Sequence, residues 1–313
     1  MPIKIPDKLP ALSVLNNENI FVMSEHRAAS QEIRPMQVAI LNLMPNKIET
    51  EIQILRMLSN TPLQINLEFV RIHANESKNT PKEHLENFYC LFDDIKHKQY
   101  DGLIVTGAPL ALMDYDQVTF WDKICEVFDW AEDNVTSTMF SCWGAHAALF
   151  YHYGLQRHLR KEKLSGIFTH KPTDIKESLT RGFEDLFNVP HSRYGYIDRE
   201  DYLSIPSLKI IAESDEAGVY VAASKNKKQV YLTGHPEYDA ETLHEEFLRD
   251  IKTGGTPVVP KNYYPDDDPE QQVSSNWRSH GSLLFTNWLN YYVYQITPYK
   301  LDANNIKAIN PND

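Results

Sequence analysis

The sequence is poor in cysteine, in basic residues and in long apolar runs, and each shortage excludes a class of protein. Its 3 cysteines have no Cys-x-x-Cys spacing, so neither a disulfide framework nor a structural zinc site is indicated. The formal net charge is 31 − 43 = −12, which disfavours nucleic acid and anionic membranes as partners. Apolar runs such as residues 103–105 are too short to cross a bilayer, and residues 1–8 contain no signal segment. We therefore expect a reduced, cytoplasmic protein.

The composition indicates one well-packed chain rather than a disordered one. Hydrophobic residues make up 42%, and the aromatic residues include 17 Tyr, 13 Phe and 5 Trp. A chain of 313 residues has room for one large domain with extensions. The predicted division begins with an N-terminal arm over residues 1–35, which its prolines should keep extended. A main domain over residues 36–252 follows, with a loop and helix over residues 253–300 packed on it. Residues 301–313 are predicted to form a frayed tail.

The first half of the main domain alternates apolar strands with amphipathic helices. This alternation predicts an α/β fold with a mainly parallel sheet and helices on both of its faces. Strands are predicted over residues 37–43, 65–72, 101–106 and 135–140, and helices over 47–60, 81–92, 118–128 and 142–151. Reactive groups in such sheets lie at the carboxyl ends of strands, which selects residues 44–47, 107–113 and 141–144 as candidate site segments.

The second half of the chain is more mixed. Strands are predicted over residues 163–170, 208–213, 219–225 and 229–233, and helices over 241–252 and 279–294. Residues 253–276, with Gly-Gly, four prolines and three consecutive aspartates, predict a long loop of the kind that serves as a lid or an interface. This loop and the aromatic C-terminal helix make a homodimer plausible.

The strongest local feature is Cys142, which follows an apolar strand and immediately precedes a helix. This is the strand–turn–helix context of a nucleophile elbow, and Gly144 relieves crowding at the turn. The positive end of the new helix favours a thiolate. The alternative is a buried structural cysteine, which is the interpretation we give to Cys90 and Cys125.

A thiolate nucleophile needs a base and a group that orients it, and His235 and Glu237 follow the strand over residues 229–233. His146, one helical turn after Cys142, is a competing base, and a surface turn is the other interpretation of the His-Pro-Glu sequence. No metal site is predicted, because no further ligands occur at a recognisable spacing. The backbone amides of Gly107 and Trp143 are the candidate oxyanion hole.

These residues belong to longer segments that resemble the homoserine O-acyltransferases of the transsuccinylase type, a family similar in fold to class I glutamine amidotransferases. The resemblance spans nearly the whole chain. The matching segments are residues 40–50, 106–110, 140–146, 190–193, 232–238 and 276–281. The resemblance implies a Cys142–His235–Glu237 triad in an amidotransferase-like catalytic domain, with homoserine contacts from Lys163, Ser192 and Arg249.

Position 111 is where this family is thought to select its acyl donor, with glutamate for acetyl-CoA and glycine for succinyl-CoA. Ala111 matches neither, but a small uncharged side chain leaves room for a succinyl tail and does not repel its carboxylate. The expected reaction is succinyl transfer from succinyl-CoA, a cosubstrate and not a cofactor, to the hydroxyl of L-homoserine in methionine biosynthesis. Alternatives are acetyl-CoA as donor, a glutaminase or hydrolase on the same scaffold, and a non-catalytic binding protein. Lys47 is either a contact for phosphate or carboxylate or an exposed lysine.

Overall fold

The computed structural model describes residues 3–6, 8–18, 34–72, 79–255 and 257–298. Eleven strands in this part of the chain form one sheet, in the order β1-β3-β2-β5-β6-β11-β10-β9-β7-β8, with β4 beside β3. The strands are β1 Ile3–Lys4, β2 Met36–Leu41, β3 Ile65–Arg71, β4 Tyr89–Leu91, β5 Tyr100–Val105, β6 Val135–Ser141, β7 His158–Pro172, β8 Phe187–Tyr196, β9 Leu208–Ser214, β10 Gly218–Ser224 and β11 Gln229–Leu232.

The helices lie on both sides of this sheet. They are α1 Ala11–Asn17, α2 Lys47–Leu58, α3 Lys82–Phe88, α4 Phe92–Ile95, α5 Trp121–Asn134, α6 Trp143–Tyr153, α7 Arg199–Leu203, α8 Thr242–Lys252 and α9 Arg278–Asn287, the last continuing as a π-helical segment, Trp288–Tyr294. One core contains Val38 and Ile40 of β2 with α2, α9 and the π-helical segment. Ala39 and Leu41 point the other way, into a second core with α5 and α6. This alternation explains why β2 is apolar from Val38 to Leu41.

The predicted fold class is confirmed in its parallel part. Strands β3, β2, β5 and β6 pair in parallel, and β11 adds to β6 in the same direction. Leu232 pairs with Ser141 across the β11–β6 ladder. The chain leaving β11 toward His235 therefore starts beside the chain leaving β6 toward Cys142. The predicted strand pair around the turn at residues 226–228 is antiparallel β10 and β11.

Two expectations for the secondary structure are wrong. The single helix expected over residues 81–92 is interrupted by β4, because Tyr89 pairs with Phe69 of β3 and donates its hydroxyl to the buried carboxylate of Glu51 at 2.6 Å. Strand β8 was not predicted at all. Its buried positions alternate correctly, but His191 and Arg193 are among them, so a hydrophobic pattern does not reveal it.

The N-terminal arm is not simply extended where it is described. Residues 3–4 form a parallel edge strand with β3, and α1 buries Ala11 and Leu15 in the core. The predicted frayed tail over residues 301–313 lies outside the described residues. The boundaries proposed for the arm, the main domain and the C-terminal segment stay predictions.

Candidate active site

A cavity of about 750 Å³ opens at the carboxyl ends of the parallel strands. The three segments selected from the sequence as strand ends, residues 44–47, 107–113 and 141–144, all contribute to its lining. So do the residues predicted to bind or react with substrate, which are Gly107, Ala111, Cys142, Trp143, Lys163, Ser192, His235 and Arg249. The fold therefore brings together residues that are far apart in the chain, such as Gly107 and Arg249, which are 142 positions apart.

Cys142 has the backbone geometry of a nucleophile elbow. Its φ of 49° and ψ of −114° lie outside the regions that non-glycine residues usually adopt, which is the kind of strain found at functional sites. Its amide donates to the Leu232 carbonyl at 2.7 Å, so the elbow is bonded to the strand that leads to His235. The thiol is half-buried at the N-terminus of α6.

Two glycines make close packing around this elbow possible. A Cβ atom placed on Gly144 would lie 2.7 Å from the Thr106 carbonyl oxygen, so α6 sits directly on the end of β5. A Cβ placed on Gly107 would lie 3.2 Å from the Cβ of Cys142 and 3.8 Å from the amide nitrogen of Trp143. The backbone of Gly107 thus adjoins both the thiol and the first amide of α6, as an oxyanion hole requires.

His235 is 5% exposed and is held on three sides. Its Nδ1 is 2.8 Å from Oε1 of Glu237, its amide donates to the Pro190 carbonyl at 2.8 Å, and its ring stacks on Tyr238 with 4.2 Å between centroids. Because Nδ1 is bonded to a carboxylate, Nε2 is left for another partner. The orienting bond assigned to Glu237 from the sequence is therefore present.

Electrostatics favour the charged form of His235. Burial works against a charged imidazole, but Cys142 and Glu237, each by its charge and by a hydrogen bond, raise the pKa of His235 well above its ordinary value. The site is thus suited to an imidazolium that can donate a proton close to the sulfur.

The competing base, His146, has the opposite character. It lines the same cavity but is fully buried, and burial, with further contributions from Arg193 and Arg157, holds its pKa well below the ordinary value. Cys90 and Cys125 also differ from an activated thiol, because burial and nearby acidic groups raise the pKa of each to about 11. These three residues support His235 and Cys142 as the reactive pair.

Glu246 on α8 organises the part of the cavity that holds Lys163 and Ser192, and no sequence pattern selected it. Its carboxylate accepts from Lys163 Nζ at 3.2 Å, from the Ser192 hydroxyl, and from the Tyr238 hydroxyl at 3.0 Å. Burial opposes its ionisation, but Lys163 and the bond from Ser192 lower the pKa of Glu246 overall. The only signal was its position on the same helix as Arg249.

Lys163 and Arg249 share a second carboxylate. Asp250 accepts from Lys163 Nζ at 3.1 Å and from the Arg249 guanidinium at 3.1 Å. The side chain of Arg249 is 61% exposed, so it reaches the cavity from its rim. This half of the cavity therefore combines two cations with two carboxylates, which suits a ligand that carries charges of both signs.

Neither interpretation of Lys47 agrees with the structure. Its side chain is buried, and its ammonium donates to the carbonyls of Asn42 and, at 3.2 Å, of Met44. Burial lowers the pKa of Lys47 to about 8. The lysine holds the chain at the end of β2 and is not an exposed first-turn residue.

One group of possible metal ligands occurs in the described part of the chain. It comprises His158, Asp198 and Asp201, of which the first two are exposed, and it includes none of the residues named above. No helix in the described residues is long and apolar enough to cross a membrane.

The fold is the α/β fold of the class I glutamine amidotransferases, with Cys142 at the elbow between β6 and α6. A glutamine amidotransferase from Thermotoga maritima superposes with a TM-score of 0.54 over 84% of this chain and all of its own, at 13% identity. One from Methylobacillus flagellatus superposes with a TM-score of 0.50 over 82% of this chain and 95% of its own, at 13% identity. These likenesses establish the fold.

The relatives found by sequence are far more similar to this chain than these two structures are. A family model described as homoserine O-succinyltransferase matches residues 2–299. The homoserine O-succinyltransferase of Pseudoalteromonas atlantica is 59% identical over 98% of this chain and 100% of its own length, and that of Tolumonas auensis is 57% identical over 98% of each. The chain belongs to the homoserine O-succinyltransferase family, and the resemblance inferred from the sequence is confirmed.

Proposed function

We propose that this protein transfers the succinyl group of succinyl-CoA to the hydroxyl of L-homoserine, in methionine biosynthesis, through an acyl-enzyme on Cys142. Family membership supports the reaction. The observation that carries the residue roles is the placement of Cys142 at a strained elbow, in one cavity with His235, whose Nδ1 is bonded to Glu237.

The first half-reaction forms the acyl-enzyme. The Cys142 thiolate attacks the thioester carbonyl carbon, while the amides of Gly107 and Trp143 donate to the developing oxyanion. The bond from that carbon to the CoA sulfur then breaks, and the His235 imidazolium donates its proton to the leaving sulfur. Free CoA departs, and the succinyl group stays on Cys142 as a new thioester.

The second half-reaction uses the same imidazole as a base. Once Cys142 is acylated its sulfur carries no charge, so one of the two groups that raise the pKa of His235 is lost. The neutral ring takes the proton of the homoserine hydroxyl as its oxygen attacks the thioester carbon. The ester forms, Cys142 leaves as a thiolate, and the proton on His235 restores the ion pair.

The homoserine site is assigned to the part of the cavity around Glu246. Lys163 and Arg249 supply positive charge for the substrate carboxylate, and Ser192 supplies a hydroxyl on the neighbouring strand β8. The carboxylates of Glu246 and Asp250 keep Lys163 in place when the substrate is absent.

Mass spectrometry of the intact protein mixed with succinyl-CoA alone tests the acyl-enzyme. We expect an added mass of one succinyl group, located on Cys142 by peptide mapping, and no adduct on Cys142→Ala. Cys125→Ala is the matched control, because it removes a half-buried thiol outside the cavity and should acylate normally. An adduct on another residue, or turnover by Cys142→Ala, would refute the mechanism.

Two alternatives are separated by direct assays. With equal succinyl-CoA and acetyl-CoA we expect mainly O-succinylhomoserine, and Ala111→Glu should shift the products toward the acetyl ester. A glutaminase would instead release ammonia from glutamine and leave acyl-CoA intact.

The protein is also proposed to act in the cytoplasm, where a free reactive thiol stays reduced, and as a homodimer. The loop over residues 253–276 supports the dimer, since Val258 within it is an apolar side chain that is 57% exposed. Light scattering on the purified protein measures the mass directly, and the mass of a single chain would exclude the dimer.

A further inference from the structure

Arg157 is a half-buried cation of the cavity whose hydrogen-bonding capacity is mostly unused. It lines the cavity beside residues 107–113, and its Nη2 donates to the Met113 carbonyl at 2.7 Å. Its Nε and Nη1 are closed off from solvent and have no hydrogen-bond partner among the described residues. A guanidinium has five N–H donors, and leaving buried donors unpaired is costly. We propose that Arg157 binds the terminal carboxylate of the succinyl group and thereby selects the acyl donor.

The other cations of the cavity are already engaged or lie at its rim. Lys163 is bonded to Glu246 and Asp250, and Arg249 to Asp250. Arg193 is buried, and its guanidinium donates to His191 at 3.2 Å and to the carbonyls of Gly195 and, at 2.5 Å, of Ala217. The remaining lysine, Lys161, is exposed. Among the described lysines and arginines that line this cavity, Arg157 is thus the one with two shielded nitrogens that have no hydrogen-bond partner.

Arg157 and Cys142 line the same cavity, and both adjoin His146. The Cδ of Arg157 and the Nδ1 of His146 lie 2.8 and 3.1 Å from where a Cβ on Gly195 would sit, so the arginine stem adjoins His146. His146 is one helical turn after Cys142, and its amide donates to the Cys142 carbonyl at 3.2 Å. The carboxylate of a succinyl group lies about 4 Å beyond its thioester carbon, by analogy with successive Cα atoms. We expect a succinyl group on Cys142 to direct this carboxylate to the side of the cavity that Arg157 lines.

The charged side chains of the cavity fall into two groups, one for each proposed substrate. The carboxylates Glu246 and Asp250 lie with Lys163 and Ser192, where homoserine is assigned. Arg157 lies instead beside the loop that begins at Gly107 and includes Ala111. Ala111 is uncharged, so its side chain does not offset the positive charge of Arg157. A carboxylate oxygen can replace the Met113 carbonyl as the acceptor for Nη2, and a small shift of the covering residues would then let the second oxygen reach Nη1.

This inference rests on the proposed function, and a comparison of three acyl donors tests it. Succinyl-CoA carries the carboxylate, butyryl-CoA has the same carbon chain without it, and acetyl-CoA lacks the tail. For Arg157→Met, which retains an unbranched stem against Gly195, we expect kcat/KM for succinyl-CoA to fall on the order of 100-fold, as for removal of one partner of a buried charge pair. The values for butyryl-CoA and acetyl-CoA should stay within about twofold. Arg157→Lys should restore part of the preference for succinyl-CoA.

Arg181→Met is the matched control. The Arg181 guanidinium lies 5.1 Å from the centroid of the Tyr291 ring, much as that of Arg157 lies 4.9 Å from the centroid of Tyr115, but Arg181 is outside the cavity. Its substitution should leave the ratio of succinyl to butyryl transfer unchanged.

The outcomes separate this inference from the function on which it rests. Suppose that wild-type protein succinylates homoserine. If Arg157→Met then loses activity with all donors equally, or keeps its preference for succinyl-CoA, Arg157 does not bind the succinyl carboxylate. If wild-type protein transfers no acyl group from any donor to homoserine, the proposed function itself is wrong, and this inference with it.

Discussion

The protonation state of His235 is controlled by its two neighbours. Burial alone would keep this imidazole neutral, and the charges and hydrogen bonds of Cys142 and Glu237 overcome that effect. In the proposed mechanism the two neighbours contribute differently, since acylation would remove the charge on sulfur whereas the carboxylate would stay. Loss of the thiolate charge would then lower the pKa of His235 after acylation, while Glu237 would support the charged ring in both half-reactions.

Glu237→Gln should lower the pH above which acyl-enzyme formation fails. In the proposed mechanism the His235 imidazolium donates to the CoA sulfur, and it is lost as the pH rises through the raised pKa of His235. Removing the carboxylate lowers that pKa, so the alkaline limb of the acylation rate should move to lower pH. Rapid-mixing measurements with succinyl-CoA across pH test this.

Glu241→Gln is the control for this shift, because it neutralises an exposed carboxylate just before α8. Its alkaline limb should match that of the wild type. If the alkaline limb of the acylation rate lies at the same pH in Glu237→Gln as in the wild type, the carboxylate does not support the charge on His235.

Glu246→Gln should impair homoserine binding and spare acylation. The amide keeps the size of the side chain, but Lys163 loses one of its two carboxylates and Ser192 is left with an uncharged amide oxygen as its acceptor. We expect the KM for homoserine to rise about tenfold, as for a lost charged hydrogen bond, with a normal succinyl adduct on Cys142. Glu245→Gln alters an exposed neighbour and is the control. Equal loss of adduct and transfer would place Glu246 in the acylation step instead.

At the scale of elements, the cavity is completed by a loop that docks on the sheet. Gly166 of β7 forms a bridge with Lys261, and the Lys261 amide donates to the Ser165 carbonyl at 2.9 Å. The loop on the other side of this anchor contributes Pro257 and Val258 to the cavity. The lid expected from the sequence over residues 253–276 is therefore held against β7 in this structure.

Gly166→Ala should release this loop. A Cβ at this position would lie 2.2 Å from the Lys261 carbonyl oxygen, and the φ of 141° is itself unfavourable for alanine. We expect faster proteolysis within residues 253–276 and a higher KM for homoserine. Gly218→Ala is the matched control, because Gly218 also has a positive φ, 81°, but nothing within 4 Å of its added Cβ. If both variants behave alike, backbone strain and not loop docking explains the effect.

The elements also show where the sequence was informative. The strands β2, β5 and β6 were predicted to within two residues at each end, because short runs rich in apolar and β-branched residues are typical of strands buried on both faces. Strand β8 was missed because His191 and Arg193 occupy its inward positions, bonded to each other at 3.2 Å. A polar residue with a distant partner is compatible with burial, but the sequence does not show the partner.

At the scale of the whole molecule, the C-terminal segment closes the sheet on the face opposite α5 and α6. Trp288 is fully buried, its Nε1 donates to the Ser137 hydroxyl at 3.1 Å, and its ring lies 2.9 Å from where a Cβ on Gly102 would be. Tyr292 in the same segment donates to Glu177 at 2.9 Å. The segment thus contributes to the same core as β5 and β6.

Trp288→Ala should lower the free energy of unfolding by about 3–5 kcal/mol, the usual cost of a large cavity in a core. Denaturant unfolding followed by circular dichroism measures this, and Tyr294→Ala, whose side chain is 54% exposed, should change it by less than about 0.5 kcal/mol. A small effect of Trp288→Ala, or a separate early transition, would mean that the C-terminal segment is not part of the main core.

The sequence by itself determined the strand ends, the elbow at Cys142, the His235–Glu237 pair and the family, because each depends on residues that are neighbours in the chain or on whole matching segments. Tertiary structure was needed to show that Glu246 binds Lys163 and Ser192, and that Arg157 bonds to the Met113 carbonyl with its Nε and Nη1 left without partners. Lys163 and Glu246 are 83 positions apart, and Arg157 and Met113 are 44 apart. Contacts over such separations arise from the order and register of the strands, and the local pattern around each residue is that of an ordinary exposed charge.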